Sequence, residues 1–384
     1  MSKKNINKDP KIKELTKAEL ASRAIKNLTT AMEDIEKKNF RFMFFVMDTK
    51  GMPNGSLSYI YSTAKKLNDL GYKVCMLHAE KDFIGVGNWL GDEYAKLKHY
   101  NIESDAVKAS PADFLIIPEL YSNVMYQTMK LPCKRIVLLQ SRNFMTEVIQ
   151  PGSTWADYGI VDCITTSAPL ENHVKDVFPV VRTNIVRPLV DLKKFGCDEP
   201  KKAFINIVTK SGGETSRIVK EFFWKQPAFK WVTFRDIKGL PKDEFSNALK
   251  ESFATVWCDE TTDFGVSALE AMAAGNVVVG RVPEEIPEWM ADKEGNILDN
   301  GAWFYRMSDS SNVIANVIES FLMDSIPQEI YDKAAETAKY YSEDAFTEDI
   351  KRVYIETYVE GRKKELTTAL GIAKNNLEKE KESE

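Results

Sequence analysis

Short apolar runs alternate with helix-period segments along almost the whole chain. That alternation constrains the fold more than any other feature. Residues 40–48 (FRFMFFVMD) form a continuous, aromatic-rich apolar run, the pattern of a strand buried on both faces. A loop over 49–56 carries Gly51, Pro53 and Gly55. Residues 57–70 then space their apolar side chains as a helix that stops at Gly71, and 73–79 is the next strand. A strand–loop–helix–strand unit implies a parallel sheet, because parallel neighbours need a crossover connection. Further strands are predicted at 113–118 (DFLIIP), 135–139 (RIVLL), 162–166 (DCITT) and 183–186, with a helix over 170–177 among the intervening segments.

A polar stretch over 189–202 interrupts the pattern, with Lys193, Lys194, Gly196, Asp198, Pro200 and Lys201, and is expected to be a linker. A second alternating half follows. Its predicted strands are 203–209, 230–234, 254–257, 276–280 and 302–305, and its helices 215–224, 242–252, 267–273 and 313–323. Beyond 328 the chain is helical almost to its end. There Phe346, Ile350, Val353, Tyr354 and Tyr358 recur at helical spacing and make one apolar face that needs a partner. The 384 residues suit two domains of Rossmann size. The expected division is 1–38, a polar and helical extension; 39–192, a first Rossmann-like domain; 193–202, the linker; 203–342, a second Rossmann-like domain; and 343–384, a C-terminal helix with a charged tail. The helix over 15–37 lacks a strong apolar stripe and is expected to be peripheral or a partner-facing arm.

Charge narrows the function classes little. The net charge of −5 demands neither a nucleic-acid nor a membrane partner. The five cysteines are scattered without a C-x-x-C pair, which fits a reducing compartment better than a disulfide framework or a zinc site. The three histidines lie far apart, against a His-based metal cluster. No apolar run is long enough to span a bilayer, and the lysine-rich start is followed by no signal-peptide core, so the expected location is the cytoplasm. Lys3, Lys4, Lys8, Lys11 and Lys13 either contact phosphates of DNA or lipid, or form a solubilising lead.

Two doubly wound domains face each other across a cleft, and ligands of such sheets bind beyond the carboxyl ends of the strands. The segments to examine are therefore 49–57, 209–216 and 259–270. The strongest is 264–280, FGVSALEAMAAGNVVVG. Gly265 lets backbone approach a ligand. Val266 and Ser267 open a helix whose N–H groups and dipole suit a diphosphate. Glu270 lies one turn further on the same face, placed to accept both hydroxyls of a ribose. The plainer alternative is a buried helix leading into a core strand. Gly85, Gly87 and Gly91 do not match a dinucleotide fingerprint, whereas 211–215 (SGGET) is a credible anion nest without a Walker ending.

The 264–280 segment resembles the C-terminal-domain signature of glycosyltransferase family 4, E-G-F-G-(five residues)-E-A-M-A-x-G-x-P-V-V. The resemblance implies a GT-B fold: an α/β chain of two doubly wound Rossmann-like domains facing a cleft, with a C-terminal helix crossing back to the first. It also implies a nucleotide-diphosphate sugar as co-substrate, no cofactor, no catalytic metal and usually retention of anomeric configuration. The signature's second Glu falls on Glu270 and the Gly after its Phe on Gly265. Its first Glu falls on Thr262, the next Gly on Asp263 and the Pro on Val277. Asp263 is the candidate to stand in for the missing Glu, with a solvated loop carboxylate as the alternative. Of the family's two phosphate-gripping cations, the first falls on Lys210 and the second near Thr215, with Arg217 available to compensate. The family's Gly-Gly loop resembles Asn54-Gly55 followed by Ser56, its first-domain His falls near Gln140, and its N-G-V-D-x-x-x-F stretch resembles VRPLVDLKKF at 186–195.

The resemblance thus implies a donor site built from Lys210, Ser211, Gly212, Arg217, Thr262, Phe264, Gly265, Val266, Ser267 and Glu270, with Gly55 and Ser56 close to the reacting sugar. Lys210 neutralises the leaving diphosphate. Glu119, at a strand end, is a candidate to polarise an acceptor hydroxyl or, alternatively, a helix cap. The implied acceptor is a glycan, a lipid-linked sugar or a hydroxymethylated base of phage DNA, and in the last case the location is the host cytoplasm. A nucleotide-sugar-binding protein without transfer and a nucleotide-sugar epimerase are the competing readings.

Overall fold

The computed structural model describes residues 17–196, 200–209, 212–259 and 264–383. Two parallel sheets organise the chain. The first contains β1 (Arg41–Phe45), β2 (Lys73–His78), β3 (Lys98–Asn101), β4 (Phe114–Pro118), β5 (Lys134–Leu139), β6 (Asp162–Thr165) and β7 (Arg182–Ile185), in the order β3-β2-β1-β4-β5-β6-β7. The second contains β8 (Lys202–Thr209), β9 (Thr233–Asp236), β10 (Ser252–Cys258), β11 (Val277–Arg281) and β12 (Ala302–Phe304), in the order β12-β11-β10-β8-β9. All neighbouring strands pair in parallel. The strand order reverses between β1 and β4 in one sheet and between β8 and β10 in the other, which are the crevices where such sheets bind ligands.

The two-residue period of the strands separates two cores in the first domain. Phe42, Phe44, Val74, Met76, Phe114 and Ile116 face one side; Met43, Phe45, Cys75, Leu77, Leu115 and Ile117 face the other. Both faces are covered, as parallel sheets require. Strand β3 (KHYN) escaped sequence prediction because it is a polar edge strand whose side chains stay partly exposed. β9 begins three residues later than the run at 230–234 suggests: Val232 is buried beside Phe229 in the turn Pro227–Phe229, and pairing starts only at Thr233. The stretch expected as linker contains a short helix, Leu192–Phe195, capped by Asp191 and anchored by buried Phe195.

The apolar face after Ser342 is buried in the first domain. Phe346, Ile350, Val353, Tyr354 and Tyr358 join the core side that holds Phe42, Phe44 and Phe114. Tyr354 meets Phe42 edge-on at 5.5 Å between ring centroids. The helical path runs through a π-type stretch, Lys351–Val359, into the helix Glu360–Ser383. The helix Lys17–Glu36 packs along that last helix, burying Ala31 and Ile35. Its partner is thus within the chain. No helix among the described residues is long and apolar enough to cross a membrane.

The chain passes between the sheets twice, and the two passages are tied together. The Val190 N–H donates to the Tyr341 carbonyl at 2.8 Å. Arg187 Nε donates to Asp349 Oδ2 at 2.7 Å, and the Arg187 backbone N–H reaches the same oxygen at 3.1 Å. Arg352 donates to Asp349 Oδ1 at 2.8 Å and to the Ile185 carbonyl at 2.8 Å. Burial pushes the Asp349 carboxyl upward, but the hydrogen bonds from Arg187 and Arg352 more than offset this and hold it below the ordinary aspartate range.

Two stability predictions follow from this packing. Tyr354→Ala should cost about 3–5 kcal/mol, the usual range for truncating a buried aromatic, read from urea midpoints. A depressed carboxyl stabilises the fold above its unfolded pKa and loses that contribution as pH falls through the folded value. Asp349→Asn should therefore lower stability at neutral pH and flatten its decline on acidification. Parallel acid-unfolding curves for wild type and variant would contradict this account of the Asp349 cluster.

Candidate functional site

Between the sheets lies a cleft of about 770 Å³, walled by both domains. Two helix N-termini open into it. On the first-domain side, the helix Gly55–Asp69 starts directly after the β1 loop. Asn54 Oδ1 accepts the Leu57 N–H at 3.0 Å and caps it. A Cβ built on Gly55 meets nothing within 4 Å, so this glycine keeps space open at the helix start. Ser56 lines the cleft, and its carbonyl accepts Gln140 Nε2 at 3.4 Å.

On the second-domain side, β10 leads to Asp259 and then to the helix Val266–Ala273. Gly265 precedes that helix with φ 77° and ψ 52°, in the left-handed region. A Cβ there would stand 2.5 Å from Trp257 Cζ2, so both conformation and space demand glycine. Phe264, Gly265, Val266, Ser267 and Glu270 all line the cleft. Phe264 is pinned from behind: its carbonyl accepts Trp289 Nε1 at 2.5 Å, and its ring packs edge-on against Tyr341 at 5.2 Å. Glu270 is 4% exposed, and its Oε1 accepts the Lys242 ammonium.

Lys242 was not singled out by the sequence. It opens the helix Lys242–Glu251, which follows β9 after the N-cap Pro241. Its pairing with Glu270 joins residues 28 apart in sequence, a contact set by strand order. Its backbone N–H also donates to the first-domain Trp89 carbonyl at 2.7 Å, so one residue touches both walls. Two further bridges join the domains. Arg142 pairs with Glu285 at 3.0 Å. Glu288 Oε2 accepts the Ala168 N–H at 2.8 Å while Oε1 accepts the Tyr341 hydroxyl at 3.1 Å. Burial raises the Glu288 carboxyl above its ordinary range, although both hydrogen bonds pull the other way.

The remaining expected residues divide. Lys210, Ser211, Thr262 and Asp263 lie outside the described residues. Gly212 opens the helix Gly212–Lys225, and Arg217 is exposed on it; neither belongs to the cleft wall formed by the described residues. Arg217 sits near Glu214, which burial raises above its usual range while Arg217, Arg281 and Lys238 pull it down. Of the two readings of Glu119, its contacts are nearer the helix cap than the acceptor contact, since Ser141 is the N-cap of the helix Arg142–Val148. Glu119 is 1% exposed, and its Oε1 accepts the Gln140 and Ser141 N–H groups at 3.1 and 2.8 Å, holding from behind the turn that lines the cleft. His78 is structural: it stacks on Phe83 at 4.1 Å and its Nδ1 contacts the Glu80 carbonyl. Among the described residues no group of His, Cys, Asp and Glu is arranged to hold a metal ion.

Solved structures share this architecture. Sucrose-phosphate synthase from Thermosynechococcus elongatus is 12% identical, over 84% of this chain and 100% of its own, with a TM-score of 0.57. This is the GT-B fold. TarM from S. aureus, solved as a mutant with fondaparinux, alpha-GlcNAc-glycerol and UDP, is 10% identical over 82% of this chain and 100% of its own, with a TM-score of 0.61. HepE from Anabaena, solved with UDP-glucose, is 11% identical over 82% of this chain and 99% of its own, with a TM-score of 0.56. No protein-family model matches the sequence, and no match was found among curated proteins.

The site yields a test of its tightest constraint. Gly265→Ala should lower the melting temperature, since a left-handed alanine must also displace Trp257. Gly371→Ala, where an added Cβ meets nothing within 4 Å, should not. Equal thermal melts of the two variants would contradict this account of the turn.

Proposed function

We propose that this protein is a glycosyltransferase that moves a sugar from a nucleoside-diphosphate sugar to an acceptor hydroxyl, by a retaining, metal-independent reaction. The observation that carries the reading is the glycine-opened helix at Gly265, with buried Glu270 one turn on, aimed into a cleft whose opposite wall is another helix N-terminus. First-turn N–H groups of a helix have no carbonyl one turn earlier to bond, and with the helix dipole they favour a diphosphate. Glu270 accepts ribose hydroxyls. Lys242 keeps its carboxylate in place and supplies positive charge at the cleft edge. The UDP and UDP-glucose complexes of TarM and HepE support a nucleotide-sugar donor here.

In the reaction the bond from the anomeric carbon to the diphosphate oxygen breaks, and that oxygen leaves with the electron pair. The acceptor oxygen bonds the anomeric carbon and gives its proton to the departing diphosphate oxygen. The negative charge grows on the diphosphate, where the helix N-terminus and, by resemblance, Lys210 stabilise it; fixed dipoles in a water-poor cleft are most effective there. Ser211, Thr262 and Asp263 keep the donor-side roles that the resemblance gives them. Gly55 leaves room for the sugar beside the first-domain helix start.

Glu270→Gln should weaken UDP or another nucleoside diphosphate at least about tenfold, the loss of a charge-assisted hydrogen bond. Calorimetry with UDP, GDP and CDP, beside melting curves to confirm folding, reads this directly; equal affinities would remove Glu270 from donor binding. Transfer should persist in EDTA. Abolition reversed by magnesium or manganese would refute metal independence, and binding without turnover of any nucleotide sugar would favour a non-catalytic binder.

A further inference from the structure

The first-domain wall of the cleft has a chemistry of its own. The helix Gly55–Asp69 turns Ser58 and Ser62 toward it, four residues apart on one face. The β5 end adds Gln140, and the helix Arg142–Val148 adds Asn143, Phe144 and Glu147. Phe144 is 43% exposed, whereas Tyr59 and Trp89, the other aromatic residues of this wall, are only 6% and 5% exposed. Among the described first-domain residues lining the cleft there is no lysine or arginine, and Glu147 carries the one charge. Nearby Arg142 is engaged by Glu285 at 3.0 Å. Among the described residues the cations in the cleft wall, Lys238 and Lys242, belong to the second domain, and Lys242 is committed to Glu270.

From this we infer that the acceptor is an uncharged saccharide, bound on the first-domain wall with one sugar face against the Phe144 ring and hydroxyls shared among Glu147, Asn143, Gln140 and the serines. The inference rests on the transferase reading above and adds the acceptor's class. A sugar ring presents an apolar C–H face that suits an aromatic plane, and a rim of hydroxyls that suits carboxylate and amide acceptors and donors. Nucleic acids and phosphate-linked lipids need cations along the path of their phosphates. This wall offers none and sets a carboxylate in the way.

The test is a binding and transfer comparison on the full chain. Uncharged gluco-, galacto- and manno-configured di- to tetrasaccharides are titrated with and without UDP. A hydroxymethylated oligonucleotide and vesicles carrying a phosphate-linked sugar lipid run in parallel at low and high salt. The expected result is saccharide binding that is insensitive to salt, weakened about tenfold by Phe144→Ala and unchanged by Trp224→Ala on a remote surface. Glu147→Lys should weaken saccharides and admit the anionic ligands. Salt-dependent engagement of the oligonucleotide or the vesicles with no saccharide binding overturns the inference. So does UDP binding with no saccharide engaged. Failure of every nucleoside diphosphate to bind would instead refute the donor reading, and the titrations without UDP would still decide the saccharide site.

Discussion

The buried Asp349 carboxylate is the point on which the two-domain arrangement hangs. It gathers Arg187 from the first passage between the sheets and Arg352 from the second. A charge 5% exposed is costly unless it is paired and hydrogen-bonded. The chain can satisfy it only by bringing both passages together, which fixes how the C-terminal helix returns to the first sheet. Tyr354 and its neighbours then seal the face that Phe42, Phe44 and Phe114 would otherwise leave open. A cleft of defined width between the two strand-order reversals is the geometric consequence.

That cleft is divided by charge. Its second-domain wall carries Lys238, Lys242, Asp259 and Glu270 around the helix start at Gly265; among the described residues its first-domain wall carries hydroxyls, amides, the exposed Phe144 ring, the buried Tyr59 and Trp89, and Glu147. Lys242 joins the two sides, with its ammonium on Glu270 and its backbone N–H on the Trp89 carbonyl. The Glu270 carboxylate and the contact between the domains are therefore joined through one residue.

Much of the frame was legible in the sequence because strands buried on both faces leave continuous apolar runs and helices leave a 3.6-residue period. β1, β4, β5 and β10 lie where their runs predict. The polar edge strand β3 left no such mark, and β9 was displaced because Val232 serves packing and not pairing. At the site, Gly265 and Glu270 stood out through the turn–helix–carboxylate spacing. Glu119 kept two readings because a carboxylate at a strand end looks the same in sequence whether it faces a ligand or, as here, the N–H groups of a neighbouring loop.

The sequence alone determined the repeated alternation, the glycine-opened helix and the apolar face after Ser342, since each is a local pattern imposed by backbone geometry and side-chain period. Only the tertiary structure decided that Lys242 meets Glu270, that Arg187 meets Asp349 across 162 residues, and that Phe144 and Glu147 share a wall with Ser58 and Ser62. Such contacts depend on the order in which strands enter a sheet and on the path by which the chain recrosses the gap. Neither leaves a periodic trace, because burial energy depends on which surfaces meet and not on how far apart they lie along the chain.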